Sequence, residues 1–175
     1  KPCLKLCLGS HPVKLFNTLD DFLEGQVLVI DKPLDWTSFD VVNKLRGTIR
    51  HTFNIKKIKV GHAGTLDPLA TGVLVVCTGR KTKTIDILQA EQKTYTGTIR
   101  LGVTTPSFDS ETEIDNYCDL AMLDVINPRS IENASTKFIG NIDQMPPQFS
   151  AKKVDGVAAY KAARKGKTVD LKPKA

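Results

Sequence analysis

The 175 residues leave room for one domain or most of a larger one, and 41% hydrophobic against 25% charged residues is the balance of a chain with a real core. The net charge of +6 is modest; no apolar run approaches a membrane span and nothing at the start reads as a secretory signal, which directs the chain to the cytoplasm. Cys3, Cys7, Cys77 and Cys118 are too few and too scattered for a disulfide framework, and Cys3-x3-Cys7-x3-His11 lacks the fourth ligand of a closed zinc site.

Residues 1–24 show no clean period and read as an extension. Gln26 to Ile30, rich in Val and Ile and stopped by Lys32-Pro33, predicts a strand. Thr37 or Ser38 can cap a helix with Val42, Leu45, Ile49 and Phe53 on its buried face. Lys56 to Val60 predicts the next strand and Val73 to Cys77 a fully apolar one; a helix from Thr82 carries Ile85, Ile87 and Leu88. Alternation over Lys93 to Val103, with Tyr95, Gly97, Ile99 and Leu101 facing one way, predicts a half-buried antiparallel strand. Thr104 to Asn116 is a polar, acidic loop, Ile131 to Ile139 is weakly helical, and Met145-Pro146-Pro147 forces an extended turn. A short helix over Val157 to Lys165 stops at Gly166. Strands and helices in mixed order make the class α/β or α+β.

Charge is distributed in blocks. Val41 to Leu66 has no acid but carries Lys44, Arg46, Arg50, Lys56, Lys57 and Lys59. Eight Lys/Arg lie between Met145 and Ala175, while Asp109 to Asp124 holds six carboxylates. Such blocks suit contact with a polyanion, although solvated faces also produce them.

The first carboxylate after the basic stretch is Asp67, within Gly61-His-Ala-Gly-Thr-Leu-Asp-Pro-Leu-Ala-Thr-Gly72. Three glycines in twelve residues allow the backbone to come close to a ligand. One ordinary use of Asp67 would be to N-cap a short helix with Pro68 at its first position. The other is chemical: an acid in basic surroundings is ionised at neutral pH and can serve as base or nucleophile.

GHAGTLDPLATGVL closely resembles the catalytic motif of the TruB family of pseudouridine synthases. VLVIDKP with WTSFDVV resembles its first motif, KTYTGTIRLG its tyrosine-bearing strand, and MPPQFSAKKVDGVAAYKAARKG its RNA-clamping thumb. The four are collinear and cover the chain from about Gly25 to its end. The resemblance implies a pseudouridine synthase fold: a mixed, largely antiparallel sheet flanked by helices, occupying 25–175 with a thumb at about 145–170. It implies isomerisation of uridine in the T arm of tRNA, at position 55, by base flipping, with no metal, cofactor or obligate protein partner. Asp67 matches the catalytic aspartate, Tyr95 the aromatic group stacked on the target base, and His62 the histidine that fills the vacated space. Taken singly, such a tyrosine is a packing residue and such a histidine a polar loop residue. Lys32 and Pro33 match a segment supporting the active-site loop, and Lys83 a lysine with either RNA contact or structural support as its role. Lys152, Lys153, Arg164, Lys165 and the helix from Ser38 are the expected phosphate contacts.

The family continues into a strand bearing an arginine partner for the aspartate, which nothing after Lys165 matches. The sequence is therefore expected to be incomplete at its C-terminus and inactive by itself. Two other readings are an RNA-binding or tRNA-folding module in which catalysis is secondary, and a guide-RNA-dependent member of the same family.

Overall fold

The computed structural model describes residues 5–6, 18–119, 121–150, 152–154 and 156–172. Cys3, Cys7 and His11 therefore lie outside the described residues. The chain divides into two compact units, 1–95 and 96–175.

The first unit is built on a four-stranded antiparallel sheet of order β1-β2-β4-β3. These strands are β1 (Lys5–Leu6), β2 (Val27–Lys32), β3 (Val60–Ala63) and β4 (Gly72–Thr78). The central pair is fixed by Leu28 opposite Val76 and Ile30 opposite Leu74, all buried. Because side chains alternate along a strand, these four share one face with Lys32 and Thr78. Against that face packs helix α2 (Ser38–Thr52), which buries Val41, Val42 and Ile49, with Leu45 and Phe53 partly covered. Thr37 is its N-cap, forming a capping box with Asp40. Helix α1 (Leu19–Glu24) has its own capping box from Thr18, and its Phe22 ring meets Phe53 at 5.8 Å. After β4 the chain makes a 3₁₀ helix, Gly79–Thr84, and then helix α3 (Ile85–Ala90), so the α-helix expected from Thr82 begins at Ile85.

The expected strand Lys56 to Val60 forms later in the chain, as β3. Its alternation is real, since Ile58 and Val60 are buried between exposed lysines. A ladder, however, needs a partner. Val60 stands opposite Thr78, where β4 ends, and among the described residues only the Gly79 N–H bond to the Lys59 carbonyl (2.9 Å) continues beyond it.

Lys93 to Val103 is a clearer correction. Residues 92–100 adopt no regular structure, and only β5 (Val103–Thr104) pairs, with β6 (Asn116–Tyr117). Ile99 is 87% exposed. An alternating pattern specifies a face for burial; without a strand alongside among the described residues, 92–100 forms no ladder.

The second unit continues with α4 (Ala121–Asp124) and α5 (Pro128–Ser135), the latter capped by Asn127 with Pro128 in its first turn. Strands β7 (Lys153–Val154) and β8 (Val157–Ala158) make a short hairpin leading into α6 (Ala159–Ala163). Turns follow to Gly166, where the helix was expected to stop.

Candidate active site

Asp67 lies on the loop joining β3 to β4. Gly64 (φ +104°) and Gly72 (φ +119°) bracket it in backbone conformations that side chains disfavour, so these glycines set where the chain turns out of and back into the sheet. Between them the Ala70 N–H donates to the Asp67 carbonyl at 3.0 Å, closing a turn over Pro68 and Leu69. No helix starts there, so the N-cap arrangement for Asp67 is not the one that forms. The Asp67 side chain is exposed and accepts no hydrogen bond from the described residues.

The loop backbone is held on both sides of that aspartate. On one side Leu66 packs against the core, and the buried Ser38 hydroxyl accepts from its N–H (2.9 Å) and donates to its carbonyl (3.0 Å). On the other side the Pro68 carbonyl accepts from the Asp35 N–H at 2.9 Å and from the Lys32 ammonium at 3.4 Å. Asp35 adopts φ +62°, a left-handed conformation that Asp tolerates better than most residues, and this places its N–H toward the loop.

Lys32 is fully buried, at 0% exposure, in the inward position that follows Leu28 and Ile30 along β2. Its ammonium donates to the carbonyls of Trp36 (2.6 Å), Pro33 (2.9 Å) and Pro68. Burial pushes its pKa below the ordinary 10.5, while the charges of Asp35, Asp67 and Asp40 pull it back. A cation thus sits under the loop, within electrostatic reach of Asp67.

His62, half-buried on β3 opposite Val76, has its Nδ1 against the Gly64 carbonyl. A carbonyl only accepts, so Nδ1 carries the proton and Nε2 is left for another partner. Tyr95 is 68% exposed in the irregular segment, with no hydrogen bond or ring contact tying it to the loop among the described residues. Two residues earlier, Lys93 passes 3.7 Å from where a Gly64 Cβ would be, and its ammonium donates to the carbonyls of Gln89 and Glu91. Lys83 is exposed on the 3₁₀ helix, at the other end of β4 from Asp67.

In the second unit the Lys152 ammonium donates to the Lys172 carbonyl at 2.7 Å. Arg164 pairs with Glu111 of the acidic block and lies 5.3 Å from the Tyr160 ring centroid. The side chain of Lys153 lies outside the described part of β7. The structure therefore brings together Asp67, Lys32, Ser38 and Asp35. Of these, Ser38 and Asp35 were not singled out as site residues from sequence. Pro33-Leu34-Asp35 had the composition of a turn, but Ser38 read as a capping alternative and as the start of a phosphate-contacting helix, not as a support for the Asp67 loop.

Residues 50–175 match the family model described as TruB family pseudouridylate synthase (N terminal domain). The chain is 56% identical over 154 residues to tRNA pseudouridine synthase B of Phocaeicola vulgatus, covering 88% of this chain and 64% of that protein. With the proteins of the same name from Parabacteroides distasonis and Flavobacterium johnsoniae the identities are 54% and 52%, covering 88% of this chain in both and 64% and 66% of those proteins. The chain thus spans about two thirds of the length of these curated relatives.

Proposed function

The chain belongs to the TruB family of pseudouridylate synthases, and from that membership we propose that the protein isomerises uridine to pseudouridine in the T arm of tRNA, with Asp67 as its essential group. The observation that carries this reading is the Asp67 loop: an exposed carboxylate on a backbone fixed by Ser38 on one side and by Asp35 and Lys32 on the other. Catalysis at a sugar needs a carboxylate that is reachable yet positioned, and such positioning accounts for a large part of rate enhancement.

The reaction breaks the bond from ribose C1′ to N1 and joins C1′ to C5 of the turned uracil; the C5 hydrogen leaves as a proton to solvent and N1 takes up a proton, so no atom is gained or lost overall. The nucleotide must first leave its stack, which costs about a few kcal/mol. In this reading the exposed Tyr95 ring stacks on the extruded base and His62 occupies the vacancy; one such stack contributes about 1–3 kcal/mol. Asp67 then either attacks C1′ or removes a ribose proton, and the described groups serve both versions. Lys32 is a positioning residue. No step transfers electrons or phosphate, so the chemistry calls for no cofactor.

The test is Asp67→Asn in the whole protein, assayed by tritium release from C5-labelled uridine in tRNA. The amide keeps the shape but can act neither as nucleophile nor as base, so turnover should vanish while tRNA affinity stays within about tenfold. Product formation at the normal rate by the Asn variant would remove Asp67 from the chemistry.

A further inference from the structure

Among the described residues, the hydrogen bonds that reach positions 66–68 from outside the loop all start in one short stretch, Lys32 to Ser38. Lys32 and the Asp35 N–H both end on the Pro68 carbonyl, after the aspartate. Ser38 alone holds the residue before it. Its hydroxyl accepts from the Leu66 N–H at 2.9 Å and gives its single proton to the Leu66 carbonyl at 3.0 Å. Ser38 is only 3% exposed, so this hydroxyl is spent inside the protein and is not offered to RNA. A phosphate contact at the start of α2 therefore does not come from Ser38 itself.

The two bonds act on the two peptide planes that meet at Leu66. The N–H belongs to the plane shared with Thr65, and the carbonyl to the plane that also carries the Asp67 N–H. Peptide planes are rigid, so holding that carbonyl fixes the plane from which the Asp67 Cα extends. The Leu66 side chain packs on the core and removes the remaining freedom of this residue. Asp67 has no such help of its own, because its exposed carboxylate accepts no hydrogen bond from the described residues. Its direction is set through its backbone. Ser38 is in turn held as the first residue of α2, between the Thr37 cap and the buried Val41 and Val42. A reacting group on a loop needs a supporting shell of this kind. We propose that Ser38 is a positioning residue for the reaction: its hydroxyl carries the placement of α2 to the Asp67 carboxylate without touching RNA. That Asp67 is the reacting group rests on the function proposed above; the brace on Leu66 does not.

The test compares Ser38→Ala, Ser38→Thr and Asp67→Asn in the whole protein by tritium release from C5-labelled uridine in tRNA, by tRNA affinity and by amide exchange. Alanine leaves the Leu66 N–H and carbonyl without that partner, whereas threonine keeps the hydroxyl. Ser38→Ala should lower kcat by about 10–100-fold with KM and tRNA affinity within about threefold, and Ser38→Thr should recover most of the loss. The Leu66 amide should exchange at least about tenfold faster in Ser38→Ala while the Val76 amide in β4 is unchanged. Faster Leu66 exchange with a normal kcat overturns the proposal, since the brace would then exist without serving the reaction. A loss in KM and affinity with kcat retained also overturns it, and would make Ser38 an RNA contact. Equal acceleration at Leu66 and Val76 would mean that the hydroxyl serves the whole fold, and a threonine variant with Leu66 protected but kcat still low would detach the loss from the brace; either result sinks the proposal. A normal rate in Asp67→Asn fails the catalytic reading and this proposal with it. An inactive Asp67→Asn beside a fully active Ser38→Ala fails this proposal alone.

Discussion

Lys32 has the environment least suited to its residue type: a long cation with no exposure, at an inward strand position otherwise filled by Leu28 and Ile30. Three backbone carbonyls and three nearby aspartates make that burial tolerable. Replacing it with methionine keeps the volume but leaves the Pro33 and Trp36 carbonyls without that donor and removes one of the two bonds that hold the Pro68 carbonyl, next to Asp67. With Asp67 acting as proposed, Lys32→Met in the whole protein should lower kcat by about 10–100-fold with KM little changed, since a small displacement of a reacting group is enough. A loss confined to KM would assign Lys32 to substrate binding instead. The pH dependence has a definite sign. With the folded pKa below 10.5, the unfolded chain binds more protons across the window between the two values, so this residue's contribution to stability rises with pH there. In denaturant melts wild type should gain on Lys32→Met as pH climbs toward 10.5. Asp67 draws attention in the sequence through its glycines and the acid-free stretch before it, and its proposed role comes from the motif resemblance. Lys32 was harder: at the end of an apolar run a lysine reads as the stop signal, and only the period of two reveals it as the last inward position.

Helix α2 connects the two ends of the first unit, its N-terminus beside Leu66 and its C-terminal half lining a basic cleft. Its start depends on the reciprocal bonds of Thr37 and Asp40. Thr37→Ala should destabilise the protein by about 1 kcal/mol at neutral pH, read from the denaturation midpoint. The Thr37 side chain and backbone hold the Asp40 carboxyl below its ordinary range, so the contribution of Asp40 is present above its unfolded pKa and fades as pH falls through the lowered value. The Thr37→Ala penalty should therefore shrink in acid; a penalty independent of pH would mean the cap acts without Asp40. This helix was legible because its cap and its period of 3.6 agree, and both are local. The strands were legible only where a partner existed to accept them. Leu28, Ile30, Leu74 and Val76 satisfy one another, whereas the alternation at Lys56 runs past the end of β4 and that over Lys93 to Val103 meets no ladder before Val103. Alternation reports that a segment could lie half-buried; the pairing that decides it is non-local and is not written in the segment.

At the scale of the molecule, the two units differ in how they are held together. In the first, nine buried apolar side chains from β2, α2, β3, β4 and Ile58 form one contiguous cluster. In the second, Ala159 and Leu171 are the buried apolar residues among those described, while Phe108, Phe138 and Ile139 remain largely exposed. Its described structure relies instead on short polar ties: Ser107 with Asp109, Gln148 with Val169 in both directions, and Arg164 with Glu111. Bonds of that kind contribute only about 0.5–1.5 kcal/mol each, less for an exposed ion pair, whereas burying a large apolar side chain contributes about 1.5–3 kcal/mol. Opening free energies should therefore separate along the same line. Amide exchange should be slowest in β2, β4 and the middle of α2, and faster by at least about tenfold through 96–172. Residues 92–100, exposed and without regular structure, should be cut first by trypsin, after Lys93 or Arg100, leaving a fragment that ends near Tyr95 and keeps its protected amides. Added RNA should slow both the cutting and the exchange in proportion to what it contacts. If 96–172 exchanges as slowly as β4 in the free protein, the polar ties hold the second unit far more strongly than their number and exposure allow.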